Sequence, residues 1–200
     1  MVSFVGLERS ALAALATPGH FGRAGASGLT IVERTDIAFA SVIARRDKRR
    51  DLAAALETSF GIALPDGPRR VTTSAITFAG VGSGQWVAST EAPETGLAAR
   101  LRARIGPFAA VADQSDARLV LHLSGTNVRD VLAKGVAMDL HPKVFKAGDV
   151  AVTLAAYIGV QIDRLDDTTY QLTTPRSTAG SFWSWLSASA AEFGYDVVTR

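Results

Sequence analysis

The chain has 200 residues, 48% of them hydrophobic and 20% charged, with a formal net charge of +2 at pH 7. That balance allows a real core in one large or two small domains, and excludes a disordered chain or a nucleic-acid binder driven by bulk charge. Cysteine is absent, which removes disulfides, thiolate catalysis and cysteine-based zinc sites together.

The opening M-V-S-F-V-G-L-E-R-S has no basic segment leading into a long apolar run, so it does not read as a secretory signal. Arg, Asp or Lys interrupts every candidate membrane span before it reaches about 18 apolar residues. The expectation is a soluble, cytoplasmic chain. Residues 1–28, rich in Gly and Ala, read as an N-terminal arm lying on something else.

Strands follow at Leu29–Arg34 and Ile37–Ala44. A helix is predicted over Lys48–Phe60, with Leu52, Leu56 and Phe60 on one face and Gly61 as its C-cap. Two strands, Ala75–Gly80 and Gln85–Ser89, precede a helix over Gly96–Ile105 that stops at Gly106-Pro107, and a strand at Ala109–Asp113 follows. After the first strand the order is β-α-β-β-α-β, the split βαβ or ferredoxin-like plan.

The second half repeats that order. Leu119–Ser124 alternates as a strand, and a helix over Val128–Lys134 is capped by Asn127 or Thr126 and stopped by Gly135. Strands at Val150–Tyr157, Val160–Arg164 and Thr169–Thr173 come next, then a helix over Ala179–Phe193 and a last strand at Tyr195–Val198. Faint echoes support a duplication: Arg50-Asp51-Leu52 resembles Arg129-Asp130-Val131, and Trp86 ahead of Pro93 resembles Tyr170 ahead of Pro175. The expected fold is α+β: two tandem ferredoxin-like units, antiparallel sheets with helices packed on one face. They span 29–114 and 115–200.

Reactive constellations fail on spacing. Gly80-Val81-Gly82-Ser83-Gly84 lacks a following helix and a Lys-Ser/Thr pair, so a hairpin turn replaces the phosphate loop. His20, His122 and His141 include no i, i+4 pair; His141, ahead of Pro142, is expected to bond backbone. Ser124-Gly125 is a strand end rather than a nucleophile elbow, so Ser124, His122 and Asp130 form no triad. No catalytic, cofactor-binding or metal-binding residue is assigned.

Two features suit a partner. Arg45, Arg46, Lys48, Arg49 and Arg50 form a basic run that either is a solvated first helical turn or meets an acidic surface. In Ser181-Phe182-Trp183-Ser184-Trp185-Leu186, Trp183 lies about 100° from the core stripe, as core margin or interface anchor. Arg45, Arg46, Arg49 and Trp183 are therefore the contact candidates. An RNA-binding ferredoxin-like module would need exposed strand aromatics, for which Trp86 and Tyr170 are the candidates; no nucleic-acid partner is expected.

The chain also resembles the gamma subunit of heterotetrameric sarcosine oxidase. The resemblance rests on Arg9-Ser10-Ala11-Leu12, S-D-A-R at Ser115–Arg118, L-S-G at Leu123–Gly125, R-D-V-L-A-K-G at Arg129–Gly135 and D-L-H-P at Asp139–Pro142. Pro175-Arg176-Ser177 and G-S-F-W-x-W-L at Gly180–Leu186 complete it. It implies an aminomethyltransferase-like, folate-binding-type fold in a subunit of an enzyme that oxidatively demethylates sarcosine to glycine. The one-carbon unit passes to tetrahydrofolate or leaves as formaldehyde. It implies alpha, beta and delta partners, with FAD, FMN, NAD, tetrahydrofolate and zinc on those partners and a structural role here. The alternatives are a gamma-like subunit of N-methylglutamate dehydrogenase and a free-standing folate-binding protein. The latter needs a central pocket with a carboxylate and an aromatic, for which Asp139 and Tyr157 are the candidates.

Overall fold

The computed structural model describes residues 10–91 and 96–198. Residues 1–9, with Arg9 of the first motif, and Pro93 of the internal echo lie outside the described residues. In chain order the elements are β1 Gly19–Phe21, β2 Leu29–Glu33, β3 Ala38–Ala44, α1 Arg49–Phe60, β4 Arg70–Thr72, β5 Thr77–Gly82, β6 Gln85–Thr90, α2 Leu97–Ile105 and β7 Ala109–Asp113. Then come β8 Arg118–Ser124, α3 Val128–Ala133, β9 Val150–Ala155, β10 Ile158–Arg164, β11 Thr169–Pro175, α4 Ala179–Ala190 and β12 Tyr195–Val198.

Apolar spacing explains the helices. Leu52 and Leu56 of α1 and Leu97, Leu101 and Ile105 of α2 recur at four-residue intervals and are fully or nearly fully buried. Gly61 ends α1 in the left-handed region, its N–H donating to the Glu57 carbonyl. The start of α1 corrects the reading of the basic run. Asp47 takes a positive φ in the turn that precedes the helix, so Arg45 to Lys48 are turn, and Arg49 and Arg50 alone enter the first helical turn. Asn127 holds the N-cap position of α3, but no side chain caps the backbone there; its amide donates to Asp130 instead, at 2.9 Å.

The strands build two sheets. One has the order β4-β5-β6-β3-β7 and the other β1-β12-β2-β8-β11-β10-β9. In the first, β5-β6-β3-β7 is the ferredoxin-like order of a β-α-β-β-α-β unit, with β4 added at the edge. In the second, β8, β10, β11 and β12 take the corresponding places, but β2 is inserted between β12 and β8. It pairs parallel with β12 and antiparallel with β8. A strand read with the first half thus completes the sheet of the second, and β1 and the buried Leu12 add arm residues to it.

Period-two alternation sorts the faces. Ala40, Val42, Phe78, Trp86 and Ala88 turn toward α1 and α2, while Leu119, Leu121, Leu123, Ile162 and Leu172 turn toward α3 and α4. The helix-free faces meet, with Phe39, Ile37, Val120 and Val87 as a small apolar cluster between them. The order of layers is helices, sheet, sheet, helices. A seam joins the sheet edges: the Val150 N–H donates to the Pro68 carbonyl, and the Arg70 N–H to the Gly148 carbonyl, both at 2.8 Å.

Candidate functional site

Alternation that buries leucine on one face of β8 and β11 puts His122 and Gln171 on the other, against the second sheet. Here lies a polar network. Burial pushes the Asp163 carboxyl up from its ordinary value, while hydrogen bonds from Gln161 Nε2 at 2.8 Å and Arg70 at 3.3 Å favour its charged form. Gln171 Oε1 accepts from His122 Nε2 at 3.1 Å. His122 Nδ1 accepts from Arg34 at 3.1 Å. Both ring nitrogens are therefore committed to the neutral form, and burial, with Arg34 and Arg70 nearby, holds the His122 pKa below its ordinary value. Arg34 itself grips Asp36 through two nitrogens and reaches Glu91 at 3.1 Å.

Beside the network is a cavity of about 350 Å³ lined by Arg70, Thr72, Thr77, Ser89, Glu91 and Gln171, among others. No aromatic ring is among the described residues lining it. Asp139 and Tyr157 do not furnish it. Asp139 is a turn carboxylate accepting from the His141 N–H at 2.7 Å, and Tyr157 is 96% exposed on a hairpin tip. The pairing of carboxylate and aromatic that a folate pocket needs is not assembled by these candidates, and no step through folate is derived for this chain.

One serine–histidine–aspartate group does converge, and its geometry is wrong for a nucleophile. Ser27 Oγ and Asp196 Oδ1 both approach the same imidazole nitrogen, His20 Nδ1, at 3.0 and 2.8 Å, while Nε2 is 2.9 Å from the Arg23 carbonyl. A triad needs the serine and the carboxylate on opposite nitrogens. This arrangement suits an imidazolium donating from both, and the hydrogen bond to Asp196 raises the His20 pKa. The product is a clasp of arm loop 22–28 onto β12.

Its pH dependence has a definite sign. The raised His20 value makes its contribution complete below the ordinary 6.5 and lost as pH rises through the folded value. Asp196, lowered by hydrogen bonds from Ser27 and His20, contributes above the ordinary 3.8 and is lost as pH falls through its folded value. Tryptic cleavage after Arg23 is expected to accelerate in the wild type relative to His20→Ala as pH rises from about 6 to 8. A constant ratio would refute the clasp.

The partner-contact candidates separate. Arg46 is 96% exposed beside Asp47, whereas Arg45 donates to the Gly106 carbonyl and Arg49 bonds Asp66 at 2.6 Å with its guanidinium over the Trp86 ring. Trp183 is 9% exposed and lies edge-on to Tyr195, so most of its ring faces the chain's own core. Trp86 and Tyr170 are 2% and 0% exposed. That burial removes the RNA reading, which needed them on an open strand face. His141 does bond backbone, accepting from the Lys143 N–H at 3.2 Å.

The motif residues explain themselves as packing. Val131 and Leu132 of R-D-V-L-A-K-G are fully buried, as are Phe182 and Leu186 of G-S-F-W-x-W-L. Gly135 lets the end of α3 approach α4, where a Cβ would come within 2.6 Å of Trp185 Nε1. Arg118 of S-D-A-R pairs directly with Pro175 of P-R-S across β8 and β11. Among the described residues no group of three His, Asp or Glu side chains could hold a metal ion, and no helix is long and apolar enough to cross a membrane.

Residues 46–192 match the family described as sarcosine oxidase, gamma subunit family. Among solved structures, a chain of the heterotetrameric sarcosine oxidase from Corynebacterium sp. U-96, in complex with pyrrole 2-carboxylate, is similar with a TM-score of 0.78 at 25% identity. The similarity covers 92% of this chain and 95% of that one. The glycine cleavage system aminomethyltransferase T from Bartonella henselae shares the fold, with a TM-score of 0.62 at 12% identity over 86% of this chain and 48% of that one. No curated protein matches by sequence.

Proposed function

The chain belongs to the sarcosine oxidase gamma subunit family, and from that premise we propose that it is a non-catalytic assembly subunit of a heterotetrameric sarcosine oxidase. The observation that carries this is the near-complete mutual coverage with one chain of such an enzyme, 92% and 95%. The internal chemistry supports it. Asp163 is held by Arg70 and Gln161, His122 by Arg34 and Gln171, and the matching motifs fill cores. We place FAD, FMN, NAD, tetrahydrofolate and zinc on alpha, beta and delta partners in the cytoplasm, with alpha the chief contact. The exposed Arg46, with Arg45 and Arg49, offers an acidic partner surface a basic corner.

The purified chain alone is expected to be colourless and inactive toward sarcosine. Affinity-tagged chain co-expressed with the other subunits should bring down a flavin-containing assembly. A stoichiometric flavin on the isolated chain would overturn the proposal, and so would micromolar binding of tetrahydrofolate to it in calorimetry.

A further inference from the structure

The β9–β10 hairpin presents its turn and part of one apolar face to solvent. Ala155 pairs with Ile158, so Ala156 and Tyr157 form the whole turn, and both have positive φ, 49° and 67°. That is the conformation for which hairpins select Asn-Gly, because a Cβ is strained there. Here the second position carries a tyrosine that is 96% exposed. Among the described residues no contact accounts for a large ring held out in a strained turn.

The adjoining strand tells the same story. Ala151 and Ala155 pack toward α3 and α4, so Val152 and Leu154 lie on the helix-free face, 60% and 46% exposed. Elsewhere on that face the second sheet covers Gln161, Asp163 and Gln171 almost completely. Residues 150–162 carry no ionisable charge, in a chain that is 20% charged. Residues 135–137 pair with the outer edge of β9, so what the hairpin leaves open is its turn and this uncharged apolar face, which invite association.

We propose that this hairpin is a docking element: Tyr157, with Val152 and Leu154 beside it, seats in an apolar cleft of a different subunit of the oxidase. The inference rests on the assembly-subunit reading. That reading selects a heterologous partner over a second copy, since the similar chain belongs to a heterotetramer. The cleft it fits is uncharged and has one hydrogen-bond acceptor for the phenol.

The test uses the full chain co-expressed with its partner subunits, and two variants. Ala156→Asn with Tyr157→Gly relieves the turn, so the isolated chain should melt about 2–4 °C higher. Its affinity for the partners should fall about thirty-fold, as for loss of a hot-spot tyrosine. Leu154→Asp should weaken association by at least about ten-fold, with circular dichroism of the isolated chain unchanged. Wild-type and variant chains that assemble equally well would overturn the docking element and leave the subunit role standing. A wild-type chain that fails to assemble would end both. A wild-type homodimer that the variants dissociate would assign the hairpin to a second copy and refute the proposal, and a lower melting temperature for the double variant would refute the strain argument.

Discussion

Asp163→Ala should lower the melting temperature of the isolated chain by roughly 6–12 °C, the expected shift for about 3 kcal/mol in a chain of this size. Asp163 is 1% exposed and the Arg70 side chain it faces is 15% exposed. Removing the carboxylate leaves a nearly buried guanidinium without its counter-charge and strips the acceptor from the Gln161 amide. Uncompensated charge in a protected site is the costly outcome, far more so than replacing both partners by apolar groups. Asp163→Asn also removes the counter-charge but keeps a carbonyl oxygen that can accept from Gln161 or Arg70, so it should cost less than Asp163→Ala.

The pH dependence separates the two substitutions. Because burial raises the Asp163 value above the ordinary 3.8, the folded state holds this proton more tightly than the unfolded one. Its contribution is complete below the ordinary value and is lost as pH rises through the folded one. Wild type should therefore lose stability relative to Asp163→Asn as pH rises from about 4, until Asp163 is fully ionised. Thermal melts across that range check the sign, and a gap that widens in favour of wild type would contradict it.

Gly80→Ala should be nearly as damaging, with a loss of about 2–3 kcal/mol and a melting temperature lower by roughly 5–10 °C. The new Cβ would strike the Gly67 carbonyl oxygen and lie 3.1 Å from the Gly67 carbonyl carbon. The obstacle is backbone, which cannot rotate aside as a side chain would. The same segment continues through Pro68 and Arg70 into the seam between the sheets, so displacing it disturbs both. Gly159→Ala is the control, since its Cβ would meet nothing within 4 Å. It should melt within about 2 °C of wild type.

These cases show what alternation and spacing can and cannot carry. Leucine stripes located α1 and α2, and the Leu119–Leu123 alternation located β8, because burial on one face leaves a local mark. Alternation along β8, β10 and β11 turns His122, Gln161, Asp163 and Gln171 away from the apolar core. It could not distinguish solvent from a second sheet, so the polar network between the layers went unread. The insertion of β2 between β12 and β8 pairs residues far apart in sequence, and no local pattern specifies it. The strand β4 is three residues long behind Pro68, too short for a period to show. The glycine run around Gly82 was legible as a hairpin, while the close approach at Gly80 depended on a neighbour from another segment.

The partner surface was the least legible part. Charge density drew attention to Arg45, Arg46 and Arg49, and Trp183 stood out by composition, yet Arg49 and Trp183 make substantial contacts within the chain. Tyr157 was noted for a pocket rather than a surface, because a two-residue turn without glycine or asparagine looks in sequence like continuing strand. Its signal was there in principle: an uncharged run around a hairpin with a bulky turn residue.

We propose that this subunit supplies shape and contact area while its neighbours carry the reaction. The decisive measurement is sarcosine turnover per bound flavin in complexes reassembled with the chain carrying His122→Gln and Asp163→Asn together. With assembly verified by sedimentation, turnover per flavin should equal that of the wild-type complex. A large drop in fully assembled enzyme would show that these side chains take part in the chemistry and would refute a purely structural role.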